Sequence, residues 1–385
     1  MSRRAKGTGG LYKNKEGYWV GQIIIGTTPE GKTKYKRFMN KSQAVVIEKM
    51  KAYELQHPNK ATELVNDVTL EEYMRYYLVT IKKNTIKPAS YDRDYETVNR
   101  HICPRIGHYY LKDITSDIIQ NELIGDLLIT GYSYSTIHKA YVFINETLKH
   151  AMLQDRIIKN PCIAVKLPKK ENIPSKDIRC LTDEEIEQFK KQANITYKSG
   201  RVRYIYGNIL CLILYTGLRG GELCSLKWKD IDYTLNQARI DSDIQVTYDY
   251  DDDKRTRKLI EQETTKNGKI RFVPLNKKAL EILEIQRKFV GGDKDDYIIT
   301  GTNKLMPVTT LTGCYKKIAE AAKIKNALGV HTLRHTFASR AIRKGIDIKV
   351  VSEILGHSSI TFTYNTYIHI IDEQKKNAVD LLDDI

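Results

Sequence analysis

Hydrophobic and polar positions follow three different periods along the chain. From Tyr18 to Ile25 and from Lys32 to Met39 they alternate as in strands, with the turn residues Pro29, Glu30 and Gly31 between. Alternation places Trp19, Ile23 and Ile25 on one face of the first strand and Lys32, Lys34 and Lys36 on one face of the second. Ser42 is placed to cap a helix running to about Gln56. From Thr69 to about Leu167 the period is helical. Four runs begin at TLEEYMRYY, ASYDRDYETV, SDIIQNELIG and STIHKAYVFI, the first behind a capping box of Thr69 and Glu72. Lys166 to Lys176 has prolines, charges and no period, the composition of a linker. A second capping box opens at Thr182. NILCLILYTG, apolar all round, predicts a buried helix ending at Gly217. Alternation between Ala238 and Leu275 predicts strands, with a hairpin turn at Asn267-Gly268, and the remainder reads as helix. The pattern predicts a multidomain α+β chain. A small sheet with a helix occupies residues 1–64 and an all-helical unit 65–165. A linker follows at 166–179, then a mainly helical unit with a small antiparallel sheet at 180–385.

Charge adds a partner to this picture. Lys and Arg number 63 against 47 Asp and Glu, a net +16. The excess is concentrated in residues 1–60, with 13 basic and 4 acidic residues. A basic arm on a milder body points to nucleic acid, because cations that neutralise phosphates release counterions. The lysine row of the second strand has two readings, protection of a sheet edge and contact with an anion such as a DNA groove. Tyr73, Tyr76, Tyr77, Tyr91 and Tyr95 form a stripe that reads as packing rather than base stacking. The six cysteines show no C-x-x-C pair and no zinc spacing, which fits a reducing compartment. Arg3, Arg4 and Lys6 lead into glycines rather than an apolar signal segment, and Ile209 to Tyr215, the longest apolar run, is too short for a bilayer. A cytoplasmic protein with no membrane partner is expected.

Candidate chemistry concentrates near the end. In HTLRHTFASRAIRKG, His331 and Arg334 lie three residues apart, on one helical face that can aim at a small anion. His357 follows in LGHSS, and Tyr367 comes ten residues later as a candidate nucleophile. Arg219, in YTGLRGGELCSL, follows the buried helix where a planar fork can clamp two phosphate oxygens; taken alone it also reads as a helix-end arginine paired with Glu222. Lys266 opens the Asn267-Gly268 turn, from which a lysine can swing into a cleft. Lys269 and Arg271 beside it are further candidate phosphate contacts, as is Lys87 ahead of Pro88.

This combination resembles the tyrosine recombinase and integrase family, of the phage or conjugative-transposon type. TGLRGGE supplies Arg219, TTKNGKIRFVPL supplies Lys266, HTLRH supplies His331 and Arg334, LGHSS supplies His357 and TYIH supplies Tyr367. The resemblance implies an arm-type DNA-binding domain at 1–64, a core-binding domain at 65–165 and a catalytic domain at 180–385. It implies a site-specific recombinase that cleaves and rejoins DNA through a 3′-phosphotyrosine and a Holliday junction, integrating and excising a mobile element without metal or cofactor. Arg219, Arg334 and His357 would hold the phosphate, Lys266 would protonate the departing 5′ oxygen, and His331 would accept or shuttle the tyrosine proton. Glu222 and His335 would support them. Tyr364 is the rival nucleophile. The implied partners are double-stranded DNA at core and arm sites, a homotetramer exchanging its C-terminal helix, and excisionase or DNA-bending proteins, with nucleoid association when bound. A helix at Ala378 to Leu382 folded back on its own domain is the alternative to exchange. A topoisomerase or an inactive DNA-binding protein are the alternative functions.

Overall fold

The computed structural model describes residues 10–27, 33–56, 68–174, 178–251, 254–262, 270–326 and 328–368. Two compact units divide the chain, Met1–Ser175 and Lys176–Ile385.

The first unit opens with an antiparallel sheet of β1 (Leu11–Lys13), β2 (Trp19–Thr27) and β3 (Thr33–Asn40), in that order. The short β1 was not foreseen. Helix α1 (Gln43–Gln56) brings Val46 and Met50 against Gly21, and Tyr53 meets Phe38 with ring centroids 5.5 Å apart. Helical stretches follow at 70–85, 88–106 and 116–129, and α2 spans Tyr134–Leu153. The Thr69 hydroxyl accepts from the Glu72 N–H at 3.2 Å, while the Glu72 carboxylate accepts from the Thr69 N–H at 2.8 Å. Tyr73, Tyr77 and Tyr91 are buried. Tyr73 Oη lies 2.9 Å from His150 Nδ1 on α2, and Tyr76 and Tyr77 also pack on that ring, so this part of the stripe is packing.

The second unit begins with α3 (Asp183–Ala193), whose capping box closes between Thr182 and Glu185 at 3.2 and 3.0 Å. The apolar run becomes α4 (Gly207–Cys211) and α5 (Ile213–Thr216), and α6 (Gly220–Ser225) follows after a tight turn. Strands β4 (Ile231–Asp232), β5 (Gln237–Ile240) and β8 (Arg271–Pro274) form one sheet, in the order β4-β5-β8. Strands β6 (Asp243–Asp251) and β7 (Lys254–Gln262) pair only with each other among the described residues. The hairpin turn expected at Asn267-Gly268 lies outside the described residues; of the described strands on either side of it, β7 pairs with β6 and β8 with β5. Helices α7 (Lys277–Val290), α8 (Val308–Ala321), α9 (His331–Arg343) and α10 (Ile348–Leu355) complete the unit. Its core joins Leu210, Ile213, Leu223, Val273, Leu283 and Leu333, all essentially inaccessible. That burial holds the ends of α5, α6, β8 and α9 as rigid supports. Among the described residues no helix is long and apolar enough to cross a membrane.

Candidate active site

Two left-handed glycines shape the site. Gly217 ends α5 at φ +66° and Gly356 ends α10 at φ +64°, and each turn directs a carbonyl toward an arginine. Arg334, on α9, is buried and donates through Nη1 to Gly217 O and through Nη2 to Leu355 O, both at 2.6 Å. Arg219 sits at the N-terminal boundary of α6. Its Nη2 donates to Gly356 O at 3.0 Å and its Nη1 to Glu222 Oε1 at 2.6 Å. A Cβ added at Gly217 would stand 2.5 Å from Phe337, and one at Gly356 would stand 2.9 Å from Arg271, so a side chain fits neither position.

Glu222, 2% exposed, is the carboxylate that bonds Arg219 and Arg271. It also accepts from the Arg219 N–H at 2.8 Å and takes both Nη groups of Arg271, at 2.9 and 2.7 Å. Burial alone would raise its pKa. The Arg271 hydrogen bonds and the charges of Arg271, Arg219 and Arg334 overcome that, holding it near about 2. Three guanidiniums against the carboxylates of Glu222 and Asp243 still leave an excess of positive charge. Burial, together with the neighbouring Arg219, pulls Arg334 down to about 9. Such a cluster is relieved by an incoming anion.

His357 Nε2 lies 3.1 Å from Arg334 Nη2 and its Nδ1 lies 2.7 Å from Thr363 Oγ1. Because a guanidinium only donates, Nε2 accepts and the ring proton sits on Nδ1, donated to the threonine. Partial burial and then the charges of Arg334 and Arg219 keep this ring neutral, lowering its pKa to about 3. His331 opens α9 with an exposed side chain; crowding by the protein around its ring and then the charges of Arg334 and Arg219 lower its pKa.

Tyr367 lies in a different setting. It belongs to helical residues 360–368, is 1% exposed, and packs in a cluster with Ala338, Ala341, Ile342, Val351 and Leu355. Its Oη is 2.8 Å from His335 Nδ1. Burial raises the phenol pKa well above its usual value, with Cys180 adding to the rise and Arg334 opposing it. His335 is shifted down to about 4 by burial, then by His331 and Arg334. A buried neutral phenol facing a neutral imidazole is thus set beside a corner of fixed positive charge.

A profile of the phage integrase family matches residues 179–374, just over half of the chain and the whole of this cluster. The chain belongs to the phage integrase family. A second profile, the phage integrase N-terminal SAM-like domain, matches residues 69–128. The chain is 30% identical to a tyrosine recombinase XerC-like protein of Caldanaerobacter subterraneus subsp. tengcongensis, over 97% of each chain. It is 25% identical to the ICEBs1 integrase of Bacillus subtilis, over 78% of each. Its fold is similar to that of the Tn1549 transposon integrase in complex with transposon right end DNA, with a TM-score of 0.65 at 18% identity, covering 81% of this chain and 100% of that one. It is also similar to the lambda integrase tetramer bound to a Holliday junction, with a TM-score of 0.60 at 20% identity, covering 91% and 96%. This family member is a tyrosine-type, DNA-binding site-specific recombinase.

The structure brings Arg219, Arg334, His357, Glu222 and Arg271 into one bonded cluster, and joins His335 to Tyr367. Lys32, Lys266, Lys269, the side chain of Lys34 and the tail beyond residue 368 lie outside the described residues. Arg271 is placed differently from the expected phosphate contact. It turns inward, with Nε on Ile354 O at 2.9 Å and both Nη groups on Glu222. Sequence alone had no signal for this, since the pairing of β5 with β8 aims the side chain. Lys87 is exposed ahead of the helix that begins at Pro88. Lys36 is exposed but stands opposite Ile23, on the face that α1 covers. The other face carries Tyr12, Gln22, Tyr35 and Arg37, which the lysine alternation did not point to.

Proposed function

We propose that this recombinase is the integrase of a mobile element and cuts DNA with Tyr367. The observation that carries the proposal is the join between the Arg219, Arg334 and His357 cluster and the buried Tyr367 on one set of helices. In this reading the scissile phosphate enters the positive corner. Arg219 and Arg334 hold its non-bridging oxygens, and only three of the five Arg334 N–H hydrogens are directed at protein atoms. His357 releases Arg334 and donates to the phosphate, which requires a proton on Nε2. Tyr367 Oη attacks phosphorus, the tyrosine proton passes to a histidine, and Lys266 protonates the departing 5′ oxygen. The 3′-phosphotyrosine keeps the phosphodiester's energy, so a second strand's 5′ hydroxyl can reverse the step and build a Holliday junction.

Residues 65–165 then grip the core site, and the basic N-terminal sheet binds arm sites. Four protomers assemble on DNA and exchange the segment after Asp372, and excisionase or bending proteins set direction. The relatives named for integration, and the solved integrases bound to transposon and junction DNA, support this reading. The test is a nicked duplex carrying the element's own junction. Wild type forms a covalent adduct, Tyr367→Phe forms none, and Tyr364→Phe retains it. An adduct that survives Tyr367→Phe and disappears in Tyr364→Phe moves the nucleophile to Tyr364.

A further inference from the structure

Strand cleavage needs a group that takes the Tyr367 proton, and the family resemblance offers His331 to accept or shuttle it. The geometry favours its neighbour one turn along. His335 Nδ1 is 2.8 Å from Tyr367 Oη, within the reach of direct proton transfer, whereas the His331 side chain opens α9 and is exposed. Tyr367 is otherwise packed with Ala338, Ala341, Ile342, Val351 and Leu355, none of which accepts a proton. The charged and titratable groups acting on His335 are His331 and Arg334 of its own helix and His357 beyond α10, with Tyr367 facing it. Cys180, which acts on Tyr367, is engaged with Ser339 at 3.0 Å.

We propose that His335 is a catalytic residue, the general base whose Nδ1 receives the Tyr367 Oη proton as the phosphotyrosine forms. The imidazole is in its accepting form, with its own hydrogen on Nε2, because a phenol donates. In the step, the Oη–H bond breaks and its electron pair forms the Oη–P bond. The P–O5′ bond breaks, and the departing oxygen takes a proton from the general acid. His335 becomes an imidazolium and returns the proton to Oη when a 5′ hydroxyl displaces the tyrosine. Burial, then His331 and Arg334, keep the free imidazole neutral; the phosphodiester offsets the Arg334 part, so DNA binding strengthens the base. This inference rests on the reading of Tyr367 as nucleophile.

The test compares wild type, His335→Asn and His331→Gln in single-turnover adduct formation on the nicked duplex between pH 6 and 9, alongside DNA affinity. Asparagine keeps an acceptor close to the Nδ1 position but holds no basic nitrogen. His335→Asn is expected to bind DNA within about threefold of wild type and to form adduct about 100-fold more slowly, as for loss of a general base. Its rate is expected to climb with pH by about tenfold per unit where wild type is flat, because hydroxide must then take the proton. His331→Gln is expected to slow cleavage less than about tenfold. A wild-type rate in His335→Asn overturns the proposal. So does a slowed rate with the wild-type pH profile, which leaves His335 only a positioning role. A second variant covers the case in which asparagine disturbs the fold: in His335→Ala that still binds DNA, rescue of the rate by free imidazole supports the base, and no rescue overturns it. An adduct from Tyr367→Phe brings down the nucleophile reading itself, whereas a strict need for Tyr367 with an unaffected His335→Asn brings down this inference alone.

Discussion

Glu222 and Tyr367 lie at the centres of two corners of one site that are built in opposite ways. Around Glu222 the side-chain bonds are charged, and Arg219, Arg271 and Arg334 are fixed by a carboxylate and by main-chain carbonyls. Tyr367 packs in a hydrophobic cluster with Ala338, Ala341, Ile342, Val351 and Leu355, with the neutral ring of His335 as the hydroxyl's partner. The charged corner is held in place by protein groups alone. The apolar corner instead keeps the Tyr367 hydroxyl out of solvent. In the proposed reading, electrostatic stabilisation and nucleophile activation are therefore separable, and each can be damaged alone.

The largest effect is expected from Glu222→Gln. Removing the charge leaves the half-buried Arg219 and Arg271 without their carboxylate, and urea denaturation should show a loss of about 3–5 kcal/mol; a loss below about 1 kcal/mol would mean that the charged corner is not held by its carboxylate. Arg271→Met comes next, at about 2–3 kcal/mol, for losing charge-assisted bonds to a buried acceptor. Because Arg271 faces inward, the slope of log affinity against log salt should stay unchanged. A drop of about 0.9 in that slope would return Arg271 to the role of phosphate contact.

Acid separates the corners further. His335 and His357, with folded pKa values of about 4 and about 3, lie below the unfolded value near 6.5, so unfolding takes up protons. Their neutral burial favours the fold fully above about pH 6.5, and that advantage falls away as pH drops toward the folded values. Glu222, depressed to about 2, acts in a lower window, between its unfolded value near 4.5 and about 2. Denaturation midpoints should therefore fall in two stages with acidity, and His335→Asn should remove part of the first stage only. The smallest effect is that of Tyr367→Phe on stability, about 1 kcal/mol or less, since one hydrogen bond is lost and the packing stays. A loss of several kcal/mol would show that the hydroxyl, rather than the aliphatic neighbours, holds this corner.

What could be read in the sequence was local. The capping boxes at Thr69 and Thr182 each need only four consecutive residues, and both close as expected. The buried run ending at Gly217 and the one-face placement of His331 and Arg334 are also short-range consequences of helical periodicity. What could not be read depends on distant pairing. The inward turn of Arg271 follows from the register of β8 on β5, across some thirty residues of chain. The placement of Lys36 on the covered face of the sheet follows from its register with Ile23. The bond between His335 and Tyr367 spans 32 positions and depends on how residues 360–368 fold back over α9. Strand β1 is three residues long, too short for alternation to declare itself.

The carbonyls of Gly217, Leu355 and Gly356 carry a consequence for how such a site survives change. Oxygen atoms that grip the guanidiniums belong to the peptide chain, which every residue possesses, so substitution of surrounding side chains cannot delete them. What the lineage must keep is the pair of bends that present those oxygens, and at both bends a methyl group would collide with Phe337 or Arg271. Extensive divergence elsewhere is then compatible with an unaltered hold on Arg219 and Arg334, and two residues without side chains become the least replaceable parts of that cluster.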